Sequence, residues 1–258
     1  MSLHDAYARV TPVELIFPDP DRAVRLADEI AEEAAGRGAD PASLPSFLTM
    51  GSVADFMSEL AETDGEGLSA RYGPAVFHAH HFARAPGTLY LLQASALRYV
   101  VGGSPGGSPV PPAPVGYVQL PRHLLWVRGD DGVPASVDGI FWHTLATGAL
   151  SALVATGVRG DGSGFDVLPL PEAPLADATA WLDVDGRGDG SDFSTDIPGA
   201  EIDSLLEVRT AGEVLKLLAR FFAYVERVPE AGRSSEPPEG PTDPQPSRIP
   251  YVSVSLTA

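Results

Sequence analysis

Cysteine is absent from the 258 residues. That excludes disulfide scaffolds, thiolate zinc sites, iron–sulfur clusters and cysteine nucleophiles. Lysine is nearly absent: of 17 basic residues all but Lys216 are arginine. With 35 Asp and Glu, the formal charge is 17 minus 35, or −18. The arginines are scattered singly, so no basic run exists to neutralise phosphates. The composition therefore argues against nucleic-acid partners and against adhesion to an anionic membrane surface. The opening MSLHDAYARVTPVELIF has no basic segment followed by a long apolar stretch and a small-residue cleavage site, so the chain reads as cytoplasmic. One stretch, Ile140 to Val158, lacks Asp, Glu, Lys and Arg and is long enough to span a bilayer. Its threonines, His143, Gly148 and Gly157 point instead to two buried strands joined by a turn at Ala146-Thr147-Gly148.

Familiar catalytic strings are missing too. There is no G-x-S-x-G, no Rossmann fingerprint and no HExxH. Gly102-Gly103-Ser104-Pro105-Gly106-Gly107 is glycine-rich but lacks the Lys-Ser/Thr ending of a phosphate loop. Arg-Gly-Asp begins at Arg128, Arg159 and Arg187, and a strand end followed by a Gly/Asp turn suffices to explain it.

What is present is a chain 44% apolar, with 27 Gly and 25 Pro marking many turns. Val13–Phe17 reads as a short strand. Asp19-Pro20 then caps a helix running to Gly36, Ser52 with Asp55 opens a second, and Pro74 opens a third that ends at Pro86-Gly87. Thr88–Leu92 is a strand pattern and Ser95–Val101 a short helix. Gly102–Pro114 has no side chains able to build a core, so it is expected to be a mobile or extended surface loop. Strand patterns follow at Gly116–Leu120, Leu124–Arg128, Val137–Leu145, Ala149–Arg159 and Phe165–Leu170, with Asp-Gly turn signals between them. Short connections predict an antiparallel meander.

Thr210 with Glu213 opens the clearest helix, whose apolar face carries Val214, Leu217, Leu218, Phe221, Phe222 and Val225 before Pro229. The expected fold class is α+β, with N-terminal helices and one long C-terminal helix packed on one face of an antiparallel β-meander. Residues 1–228 read as one such domain: helical over 1–87, mainly β over 88–170, an acidic loop at 171–200 and a helix at 210–228. Residues 229–250 form a Pro-rich linker. The last eight, 251–258, alternate as a half-buried strand able to dock on a sheet edge of its own subunit or, by exchange, of a homodimer partner.

Three constellations could carry chemistry. In the run from His78 through His80 to His81, residues 78 and 81 share a helix face, which suits two ligands of one metal, with His123 or His143 as a third. The same imidazoles pack equally well beside Phe77 and Phe82. Asp183, Asp185 and Asp189 approach a calcium-loop spacing, but Arg187 and Ser194 stand where oxygen ligands belong. Pairing of Tyr117–Trp126 with Val137–His143 would gather His123, His143 and Asp138 into an acid–base group. Pro121 should fall at a break between two strands, and Trp126 and Trp142 should fill the core. None of these motifs dictates a cofactor. The chain reads as a cofactor-free binding or protein-interaction module whose partner is a protein or a small molecule. The alternative is a metal-dependent or His-based hydrolase using His78/His80/His81 or His123/His143.

Overall fold

The computed structural model describes residues 7, 11–16, 29, 32, 35–36, 38, 75, 77–79, 81–82, 87–102, 109–122, 124–128, 134–145, 147–157, 166–170, 173–174, 206–208, 211–227, 233–234 and 251–255. The first element corrects the sequence expectation. The apolar run after Thr11 is helix α1 (Pro12–Ile16), not a strand. A reciprocal capping box nucleates it: the Thr11 backbone N–H donates to Glu14 Oε2 at 2.8 Å, and the Glu14 N–H donates to Thr11 Oγ1 at 3.3 Å. Pro12 takes the first helical position, where its missing N–H costs nothing. Of the expected helix ending at Gly36, residues 29, 32, 35 and 36 are helical. Gly38 follows with φ +77° and donates its N–H to Ala35 O, a glycine stop. The helix expected from Ser52 lies outside the described residues.

Among the described residues ten strands form the sheet, ordered β6-β5-β4-β2-β1-β10-β9, with β3 and β7 paired off this path and β8 beside β3. β1 (Thr88–Leu92) leads through helix α2 (Ala94–Gly102) to β2 (Val115–Gln119). These two strands are parallel, with Leu89 opposite Tyr117. The antiparallel meander is therefore only part of the sheet. The connection from Gln93 to Pro114 is long enough to carry a helical crossover, which the short-loop argument overlooked.

From β2 the pattern is antiparallel, as expected. β4 (Pro134–Thr144) pairs with β2 and with β3 (Leu125–Arg128), and Pro121 falls between those two strands. β5 (Ala149–Thr156) returns along β4 through a turn at Gly148, which has φ +80°. β6 (Asp166–Pro169) and β7 (Ala173–Pro174) both pair with β5. β8 (Leu206–Val208) lies parallel to β3. Helix α3 (Ala211–Arg227) follows, then β9 (Arg233–Ser234) and β10 (Tyr251–Val254). Among the described residues no helix is long and apolar enough to cross a membrane; the uncharged run from Ile140 is β4 and β5.

One face of the sheet presents Tyr90, Leu92, Val118, Ile140, Trp142, Leu150, Ala152, Val154 and Val254 to α2 and α3. Trp142 is fully buried there, its ring 5.2 Å from Phe222 and 5.8 Å from Tyr90. Its indole Nε1–H donates to Ala113 O at 3.0 Å, and Thr144 N–H donates to Pro114 O at 2.8 Å. The end of the low-complexity stretch is thus fastened to β4, where the sequence suggested only a surface loop. Trp126, also expected in the core, is half-buried. Lys216 and Arg220, one turn apart on α3, are both buried, and Arg220 Nη1 donates to Val101 O at 2.7 Å. That places a cation on the carbonyl-rich C-terminal end of α2.

The indole lies against Gly116 on the neighbouring strand. A Cβ at Gly116 would sit 2.1 Å from Trp142 Cζ2. Gly116→Ala should therefore cost about 1–3 kcal/mol of stability or more, because a rigid buried ring cannot yield without moving α3. The urea midpoint measures it.

Candidate functional site

The opposite face of the sheet receives the segment around residue 77. The described residues Ala75, Phe77, His78, Ala79, His81 and Phe82 are helical and buried. His78 and His81 project to the same side, as their spacing predicts. They meet β4, where Phe141 and His143 alternate onto that face, and β5, where Ser151 stands opposite His143. The His81 and His143 rings are 4.3 Å apart. Phe77 is the common plate, with edge contacts to His78 at 5.0 Å, His81 at 4.6 Å and His143 at 5.7 Å. Phe82 touches Phe141 from the next turn.

The three imidazoles thus lie in an aromatic layer. His78 Nε2 is 3.4 Å from Ser151 Oγ, and its Nδ1 is buried with no hydrogen-bond partner among the described residues. The tautomer protonated at Nε2 donates to the serine and leaves only a lone pair at the orphan nitrogen. Burial lowers the His78 pKa from 6.5 to about 3, with His143 adding to the shift. A base held there is far from the range in which it could draw a proton from Ser151 at neutral pH. Among the described residues no group of three or more His, Asp or Glu side chains is placed to hold a metal ion. His80, His123 and the acidic residues Asp183, Asp185 and Asp189 lie outside the described residues.

Asp138 does not join His143. Five residues at about 3.3 Å each put them roughly 16 Å apart along β4. A β-bulge between Val137 and Gly139 sets Asp138 out of register. Arg122 Nε donates to its buried Oδ1 at 3.0 Å, which supplies the partner that a buried carboxylate requires.

The second site is the slot beside β1. β10 lies parallel in it, Leu89 opposite Tyr251 and Leu92 opposite Val254, with β9 antiparallel on its outer edge. Val254 is fully buried in the α3 face. The side chains of Tyr251 and Ser253 alternate to the other face. There the Gln93 side-chain amide donates to Ser253 Oγ at 3.2 Å, while the Gln93 N–H donates to Val254 O at 2.9 Å. Tyr224 of α3 reaches across to donate to Ser255 O at 2.7 Å. Tyr7 donates to Leu92 O at 3.0 Å, and burial followed by the proximity of Tyr251 raises its pKa. The Tyr251 hydroxyl is buried without a hydrogen-bond partner among the described residues. The alternating tail announced a strand, but nothing local announced its parallel direction or the roles of Tyr7, Gln93 and Tyr224.

Compared with protein-family models, with curated proteins and with solved structures, the chain matches none.

Acid should weaken the fold through His78. Its folded pKa of about 3 lies below the ordinary 6.5, so between those values the unfolded chain binds a proton that the folded chain refuses. This contribution leaves stability intact above pH 6.5 and erodes it as pH falls toward 3, by up to about 1.4 kcal/mol per pH unit. Urea midpoints from pH 7 to 4.5 should fall more steeply for the native chain than for His78→Leu. Tyr251→Phe should leave stability unchanged or raise it, since it deletes an unpaired buried hydroxyl. Tyr251→Ala should cost about 3–5 kcal/mol in the same assay.

Proposed function

We propose that the protein is a cofactor-free, cytoplasmic protein-interaction module that works by strand addition: the edge of β1 is a slot for an extended segment in parallel register. The observation that carries this is the seat of β10. Four consecutive residues pair with β1, and Tyr251 and Val254 bury their side chains on opposite faces of the sheet. Main-chain bonds supply affinity in this mode of recognition, and pockets for alternate side chains supply specificity. The partner is thus a protein segment with an aromatic residue three positions before a β-branched one. The net charge of −18 disfavours nucleic acid and anionic lipid as partners. The hydrolase alternative draws on His78, His81 and His143, and their deep burial together with the depressed basicity of His78 counts against it.

A chain ending at residue 248 should bind a synthetic peptide of residues 249–258 saturably by calorimetry, in the micromolar range. The same peptide with Tyr251 and Val254 replaced by alanine should not bind. A folded truncated chain that ignores the native peptide overturns the reading. If truncation unfolds the chain, the native peptide should restore its circular dichroism and the alanine peptide should not.

A further inference from the structure

We propose that the seat of Tyr251 is the specificity-determining subsite of the slot and that it selects phenylalanine over tyrosine. The chain's own tail is then a replaceable occupant, displaced by an extended segment of the pattern Phe-x-x-Val. The inference rests on the strand-addition reading and names the class of segment that the same slot prefers.

An unmet hydrogen bond carries it. Tyr251 is 6% exposed, and its hydroxyl is buried with no hydrogen-bond partner among the described residues. In register beside it on β1 stands Leu89, with Tyr117 one strand further, both buried. Tyr7 lies near enough that Tyr251 adds to the rise in its pKa, yet Tyr7 donates its own proton to Leu92 O at 3.0 Å. The subsite thus takes an aromatic ring and supplies nothing for the oxygen at its end. The water that this hydroxyl gives up on docking is not replaced, whereas a phenyl ring has none to give up. An apolar pocket penalises an added hydroxyl in this way by about 5- to 100-fold in affinity.

The defect is confined to that one atom. Val254 is fully buried in the apolar core, Ser253 Oγ accepts from the Gln93 amide at 3.2 Å, and Ser255 O accepts from Tyr224 at 2.7 Å. Attachment to the same chain explains why the strand docks in spite of it. A tethered segment competes at high effective concentration, so a deficit of this size is tolerated within the chain. A free segment has no such advantage, and there the ring without the hydroxyl is favoured. The tail consequently fills the slot at less than the affinity that the slot can deliver.

Two fluorescein-labelled peptides of residues 249–258, one native and one carrying Tyr251→Phe, are titrated with the native full-length chain and followed by fluorescence anisotropy. The phenylalanine peptide should bind about 5- to 100-fold more tightly than the native one. The full-length Tyr251→Phe chain should weaken both peptides by that same factor, because the hydroxyl is then removed from the competing tail. Equal affinities, or tighter binding of the native peptide, overturn the phenylalanine selectivity and leave strand addition standing. If neither peptide binds the full-length chain at millimolar concentration, the tail is not replaceable and the inference falls. Strand addition itself is then decided by the chain ending at residue 248, where no tail competes.

Discussion

Everything in this sheet hangs on β1, a strand with no free side. Its edges are taken by β2 and β10, both parallel to it, and Leu89 through Leu92 are buried on both faces. A parallel strand in this position must be covered above and below, because Leu89, Leu91 and Leu92 and the ring of Tyr90 are buried on its two faces. On one side the cover is α3 with α2; on the other, Tyr7 reaches Leu92 O while Phe77, His78, His81 and Phe82 cover the same face at β4 and β5. Segments from the beginning, middle and end of the chain are thereby drawn to one five-residue strand. Folding has to close long loops before β1 gains its neighbours, and this non-local pairing forms slowly.

The split between what was legible and what was not follows the same line. α3 was legible because its apolar face repeats within its own seventeen residues. The β4–β5 hairpin was legible because Gly148 marks the turn locally. The partners of β1 were not, since nothing in Thr88–Leu92 says that strand 115–119 lies on one side and strand 251–254 on the other. α1 was misread for a different reason: VELIF is apolar enough to pass for a strand, and the Thr11–Glu14 box that decides the matter was present but unread. At the candidate sites, the helical spacing announced that His78 and His81 share a face. That His143 meets them needed the register of β4, and that Asp138 turns away needed the bulge.

Polar groups in the interior are handled in three ways. Asp138 is charged and takes Arg122 as its counter-ion. Arg220 is charged and lends a hydrogen bond to the carbonyl end of α2. His78 takes the third course and gives up its charge, surrounded by rings that solvate a neutral imidazole well and an imidazolium poorly. The first two tie distant elements together, whereas the third makes one contact surface conditional on protonation.

Lys216 has a consequence that reaches beyond packing. It is the chain's only lysine, and α3 keeps it buried. In the folded state, acylating reagents and lysine-modifying enzymes therefore meet no accessible ε-amino group. Such a group is uncovered only when the cover over this side of α3 opens, so acylation at this single position counts those openings.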